Sequence, residues 1–173
     1  MNYRFPVSPG MISVSVLANK PESWKIAETE MIQTYGPILD RSPISDFVFS
    51  KYYDQEMGPN IQRAYWVFST YCHPVDYYKE KLKCIAIEDK YRIKDSRIFN
   101  LDVGFIELDK FILLSTKPAT YRIYLNEGVY AQSTYYFKDK SYHPWPWTYA
   151  DYRADTALNF FTNMRNIYKN RRS

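Results

Sequence analysis

The chain is poor in the residues that would announce a familiar chemistry. Its 173 residues include two cysteines, Cys72 and Cys84, and two histidines, His73 and His143. Two thiols in a chain long enough to bury its own core read as reduced side chains, not as a disulfide framework. A tetrahedral zinc site would need all four residues. Neither a Cys-x-x-Cys nor a His-x-x-x-His spacing is present, so no metal is expected. There are five glycines, and no Gly-x-x-x-x-Gly-Lys-Ser/Thr stretch occurs, which removes the phosphate cradle of ordinary nucleotide hydrolases. No run approaches the roughly 18 apolar residues of a membrane span. Met1–Gly10 lacks the apolar segment of a secretory leader and is expected as an extended arm; together these points favour the cytoplasm. Charge of one sign is also in short supply, with 23 Lys and Arg against 19 Asp and Glu. Part of the +4 excess sits in Lys169, Arg171 and Arg172, and residues 170–173 are expected as a basic tail. That balance falls short of a phosphate-coating surface, so nucleic acid is a disfavoured partner.

Tyrosine is abundant: its 18 copies outnumber the 10 phenylalanines and four tryptophans together. An apolar ring with a polar tip suits half-wet clefts and interfaces. The densest aromatic stretch is Trp145, Pro146, Trp147, Thr148, Tyr149, Ala150, Asp151, Tyr152, Arg153, where Thr148 and Asp151 have the spacing of a capping box for a helix over Tyr149–Lys169.

Upstream, Ile12–Ala18 alternates as a strand. Asn19 is placed to cap a helix with Pro21 in its first turn and Gly36 at its end. Strands are predicted over Ile44–Tyr52 and Ile61–Thr70, joined by a polar loop. A helix follows from Pro74 to Asp89 that buries Val75, Tyr78, Leu82 and Ile85, and then a strand over Arg97–Val103. The result is a single α+β domain, residues 1–173, with a ferredoxin-like βαββαβ half. It is extended by a short helix over Phe105–Ser115, a hairpin whose strands Tyr121–Leu125 and Val129–Phe137 flank Asn126, Glu127 and Gly128, and the final helix. If Leu125 faces Val129, then Tyr121, Ile123, Ala131 and Ser133 form the core side. Arg122, Tyr124, Tyr130, Gln132 and Thr134 form a polar, ring-bearing side suited to a ligand.

Six stretches, Asp54–Pro59, Asn100–Gly104, Ser115–Lys117, Arg122–Leu125, Gly128–Ala131 and Trp145–Arg153, together resemble the bacterial family called domain of unknown function 4416, in the same order and over nearly the whole chain. Some of its members carry the label GTP-binding protein or regulator, so the resemblance implies that label without a mechanism. The residues themselves do not support GTP hydrolysis, because phosphoryl transfer depends on the positioning and charge stabilisation that a phosphate loop supplies. Asn19-Lys20-Pro21-Glu22 matches the guanine-reading Asn-Lys-x-Asp only in part, and helix capping accounts for it. What remains is a ligand-binding set gathered from element ends: Asp54, Glu56, Asp102, Lys117, Arg122, Tyr130, Asp151 and Arg153. No catalytic residue, cofactor or reaction is assigned. The expected function is binding of a phosphorylated or nucleotide-like small molecule. The rivals are an RNA-binding module, with Arg63–Phe68 on the stacking strand, and a homo-oligomeric structural protein using its surplus tyrosines.

Overall fold

The computed structural model describes residues 6–172. Of the expected amino-terminal arm, Met1 to Phe5 lie outside the described residues. In chain order the elements are β1 (Gly10–Ala18), α1 (Pro21–Tyr35), β2 (Ile38–Arg41), β3 (Ser45–Asp46), α2 (Asp54–Met57), β4 (Gln62–Cys72), α3 (Tyr77–Lys90), β5 (Phe99–Ile106), β6 (Lys110–Ser115), β7 (Ile123–Asn126), β8 (Val129–Lys138), β9 (Ser141–Pro144) and α4 (Asp155–Arg171). Among the described residues the nine strands form one antiparallel sheet, in the order β2-β4-β1-β5-β6-β8-β7, with β3 beside β4 and β9 beside β8.

Alternation along the strands splits this sheet into two faces, as period-2 side-chain geometry requires. Val14 and Val16 of β1, Trp66 and Phe68 of β4, and Leu101 and Val103 of β5 face α1 and α3 and pack with Ala27, Met31 and Cys84. Met11, Tyr65, Val67, Phe111, Leu113 and Tyr135 face the other way and pack with Phe161, Met164 and Tyr168 of α4. Phe161 is fully buried and meets Phe111 and Tyr65 at ring-centroid distances of 4.4 and 5.0 Å. Burying one such ring contributes about 1.5–3 kcal/mol.

Several expectations need correction. Phe105–Ser115 is not a helix: its first two residues end β5, and a turn leads into strand β6. The spacing of Leu108, Phe111, Ile112 and Ser115 imitates a helix because β6 is covered on both faces, Phe111 and Leu113 on one side and Ile112 and Leu114 on the other. Of the strand expected over Ile44–Tyr52 only the two-residue β3 forms and the rest of that stretch is loop, while β2 lies before it at Ile38–Arg41. Asn19 caps nothing. Lys20 holds the cap position of α1, and the Asn19 amide donates instead to the Met57 carbonyl (2.5 Å) and the Pro59 carbonyl (3.3 Å), tying down α2.

On α3 the buried stripe is Tyr77, Glu80, Lys81, Cys84 and Glu88. Val75, expected inside, is 68% exposed. The hairpin turns on Glu127 and Gly128, whose φ values of 48° and 75° form the two-residue left-handed turn that hairpins favour. Asn126, not Leu125, faces Val129. Ile123, expected in the core, lies 72% exposed on the edge strand. The final helix begins at Asp155 after a separate 3₁₀ turn over Ala150–Arg153. It runs through Arg171, so the expected basic tail is helical to that point. Arg171 donates to Ser69 Oγ at 3.0 Å and Arg172 to Tyr168 Oη at 3.2 Å.

Candidate functional site

Helix α4 covers only part of the second face. Next to it, that face carries polar side chains across three neighbouring strands. The register sets Ser15 between Tyr65 and Asp102, and Leu17 between Arg63 and Asn100. Over Arg63, Asn100 and Asp102 the sheet forms the floor of a cavity of about 610 Å³, within the size range of small-molecule sites. Leu113, Ser115 and Gln132 extend the floor along β6 and β8. One roof segment before α2 brings Phe47, Phe49, Tyr52 and Tyr53, and a second brings Tyr149, Asp151 and Tyr152.

The charges of the cavity are mostly paired. Arg63 and Asp151 form an ion pair in which each side chain is 8% exposed, linking β4 to the second roof segment. Burial pushes the Asp151 carboxyl above the ordinary aspartate value, while the facing guanidinium opposes that shift. Lys81 reaches from α3 to the Leu101 carbonyl (3.1 Å) and the Asp102 carboxylate (2.9 Å). Burial raises Asp102, but the Lys81 charge and hydrogen bond outweigh it and hold the carboxyl below its ordinary value. Arg97 grips Glu56 at 2.7 Å and Glu88 at 3.3 Å, and the Arg97 hydrogen bond holds Glu56 low as well.

These contacts follow from the sheet. β5 pairs with β6 only from Gly104 to Ile106, which leaves Phe99–Val103 without a strand on that side. The side chains of α3 supply the missing partners: Glu88 accepts the Leu101 N–H at 2.5 Å and Lys81 donates to the Leu101 carbonyl. Buried backbone groups need such partners.

Two lining cations differ from the rest. Lys117 Nζ donates to Tyr52 Oη at 3.0 Å and lies 4.3 Å from that ring's centroid. Arg122 donates to the Gln132 amide oxygen (3.0 Å), the Lys117 carbonyl (2.7 Å) and Tyr149 Oη (2.5 Å). Among the described residues neither has a carboxylate within ion-pair distance. The Lys117 hydrogen bond holds the Tyr52 phenol below the ordinary tyrosine value.

Of the eight residues expected to bind ligand, Asp102, Lys117, Arg122 and Asp151 line this cavity. Glu56 stands behind it, clasped by Arg97. Asp54 opens α2 and borders a separate, smaller depression. Tyr130 does not join the convergence expected of it: it packs edge-on to Tyr124 at 5.5 Å. Arg153 donates to the carbonyls of Thr148 (2.8 Å) and Trp145 (3.3 Å) and only ties its own loop. Thr148 and Asp151 are not a capping box. Thr148 accepts the Trp145 N–H at 2.9 Å and donates to the Thr134 carbonyl at 2.6 Å, while Asp151 is taken by Arg63. Trp145 and Trp147 stack on each other at 5.1 Å and anchor the segment over Ser133, away from the lining. His143 is packed, stacked on Tyr136 at 5.5 Å.

Sequence reasoning missed Arg63, Lys81 and Arg97 as lining residues. One signal for Lys81 was available: Tyr77, Lys81, Cys84 and Glu88 share one helical face, so a lysine and a glutamate stand on a stripe that packs inward. The family model described as Domain of unknown function (DUF4416) matches residues 8–168. The chain belongs to this family. Neither the curated proteins nor the solved structures give a match. The matched range spans all six stretches named above, and four of them contribute to the cavity lining: Asn100–Gly104, Ser115–Lys117, Arg122–Leu125 through Arg122, and Trp145–Arg153 through Tyr149 to Tyr152.

Proposed function

We propose that this DUF4416 member binds a phosphorylated or nucleotide-like small molecule in the cavity, GTP being one candidate, and acts in the cytoplasm as a regulatory binding protein. The observation that carries this reading is the pairing pattern: among the described residues Lys117 and Arg122 have only neutral partners, beside ring-bearing walls, while the other lining cations are matched by carboxylates. A cation held by neutral acceptors is free to take an anion, because charge-assisted hydrogen bonds are roughly twice as strong as neutral ones. We also read the chain as a single domain whose first half follows the ferredoxin-like plan. The spatial order β2-β4-β1-β5, antiparallel throughout, supports that view.

Thermal melting with GTP, GDP, nucleoside monophosphates and sugar phosphates tests the proposal. A ligand at 100 times its Kd stabilises by about 2.7 kcal/mol, or roughly 5–10 °C in a chain of this length. Lys117→Gln with Arg122→Gln should remove the shift while the unliganded melt moves little. No shift with any phosphorylated compound would refute it. Self-association is a second reading, favoured by Ile123 and Tyr124 standing 72% and 57% exposed on the edge strand β7. Sedimentation of wild type against Ile123→Lys checks it. Base stacking along β4 has no such support, since Tyr65, Trp66 and Phe68 are buried.

A further inference from the structure

We infer, building on the binding reading above, that the cavity takes a phosphomonoester carried on a hydroxyl-bearing body and binds it without a metal, in preference to a di- or triphosphate with its magnesium. The argument is one of charge matching. The cavity is lined by two carboxylates, and each already has a buried cation: Asp102 holds Lys81 at 2.9 Å, and Asp151 holds Arg63. The third matched cation, Arg97, answers to Glu56 and Glu88.

What is left for a ligand is Lys117 and Arg122. A phosphomonoester near neutral pH carries a charge of about −1.5 to −2, which two cations match. A triphosphate carries considerably more and normally arrives with Mg²⁺, held by one or two protein carboxylates. Recruiting Asp102 or Asp151 for that task would strip Lys81 or Arg63 of its partner and leave a buried charge unpaired. Among the described residues no group of three His, Cys, Asp or Glu side chains converges to offer an alternative donor set.

The two cations are already assembled as a unit. Arg122 donates to the Lys117 carbonyl at 2.7 Å, and the Lys117 N–H donates to Ser115 Oγ at 3.1 Å, fixing the turn between them. Their remaining acceptors, the phenols of Tyr52 and Tyr149, are 61% and 44% exposed, so an incoming anion can take their place.

The floor argues for the body. Asp102 and Asn100 offer acceptor oxygens, and Asn100 donates to Asp102 at 2.8 Å. Gln132 offers a donor: its amide oxygen is turned to Arg122, which has nothing to accept with, so its NH₂ group is fixed on the other side, and there it has no partner among the described residues. Gln132 is 2% exposed and lines the cavity. Arg63 Nε and Tyr152 Oη, both on lining residues, are likewise buried without a partner among the described residues. Unmet buried polar atoms cost free energy that a ligand can recover. A floor presenting both donors and acceptors suits hydroxyls, which serve as either.

Calorimetric titration of the full chain decides the matter with ribose 5-phosphate, GMP and AMP, each against its dephosphorylated form, GTP, and inorganic phosphate, in magnesium and in EDTA. The expected result is at least one monophosphate bound tenfold or more tightly than both its dephosphorylated form and GTP, with a Kd unchanged by EDTA. Lys117→Gln and Arg122→Gln should each weaken it at least tenfold, and Gln132→Ala severalfold. Tighter binding of GTP, or binding lost in EDTA, overturns the inference while leaving the broader binding proposal standing; binding of no phosphorylated compound overturns both. The wild-type comparison among ligands decides between these outcomes even if a variant fails to fold.

Discussion

The Arg63–Asp151 pair allows a quantitative test of how the site is held together. Each side chain is 8% exposed, and the pair joins β4 to the segment that carries Tyr149 and, through it, one hydrogen bond of Arg122. Asp151→Asn keeps the shape and removes the charge, leaving a buried guanidinium unmatched; breaks of this kind cost about 3–5 kcal/mol. Arg63 also lies 4.9 Å from the Phe47 ring centroid and 5.5 Å from that of Tyr152. These contacts survive the substitution and contribute about 0.5–2 kcal/mol, so the lower end, about 3 kcal/mol, is expected. Against a total stability of about 5–15 kcal/mol this is a large fraction, and it corresponds to a fall in Tm of roughly 6–12 °C. Urea unfolding monitored by circular dichroism should show a lower midpoint at unchanged slope. The double variant Arg63→Met, Asp151→Leu removes both charges and should recover most of the loss, because replacing a buried pair by apolar groups is commonly neutral or stabilising. If Asp151→Asn melts within 1 °C of wild type, or the double variant is worse than the single, the pair is not acting as a buried, mutually dependent contact.

Three further outcomes are expected. Gly104→Ala should destabilise by about 1–3 kcal/mol in urea unfolding, since a Cβ there would sit 2.6 Å from Phe111 Cζ and 2.7 Å from the Ile112 carbonyl oxygen. Cys72 and Cys84 should resist Ellman's reagent at pH 8 in the native protein and react after denaturation, because both are buried and burial pushes each thiol up to about 12. Glu56, held below its ordinary value of 4.5 by Arg97, should contribute stability that is full above that value and lost as pH falls through the folded one. Glu56→Gln should therefore flatten the acid limb of stability as pH falls below 4.5, and parallel limbs would show that the contact contributes nothing.

The parts of the fold governed by local rules were legible. Pro21 and Gly36 bracket α1, alternation marks β1 and β4, and Asn126-Glu127-Gly128 marks the hairpin, though the loop is one residue shorter than expected because Asn126 pairs with Val129. Errors fell where tertiary context decides. β6 looks helical because both its faces are covered, and Ile123 looks internal although its strand ends the sheet. The cavity was half legible: Asp102, Lys117, Arg122 and Asp151 were found as charges at element ends, while Arg63 and Lys81 were passed over because one lies inside an apolar strand and the other inside a helix. Tyr130 and Arg153 were included because composition cannot separate a ring that packs on its neighbour, or an arginine that ties its own loop, from one that faces a hollow.

The short register between β5 and β6 links these observations. Had β6 paired with β5 along its whole length, the Leu101 amide and carbonyl would be satisfied by strand neighbours, and Lys81 and Glu88 would have no polar group to meet on the inner side of α3. The pairing stops at Gly104, so helix side chains complete the edge, and one of them, Lys81, continues past the carbonyl to neutralise Asp102. A charge rooted on the α1–α3 side of the sheet thus sets the state of a carboxylate on the opposite side. Arg97, held by Glu88 of the same helix, is fixed by the same device. Lys81→Met is therefore expected to act on the site before it acts on the core: it leaves Asp102 as an unmatched negative charge in a cavity that otherwise favours anions. It should weaken binding of a phosphorylated ligand even though Lys81 hydrogen-bonds to neither Lys117 nor Arg122, and the companion Asp102→Asn change should restore it.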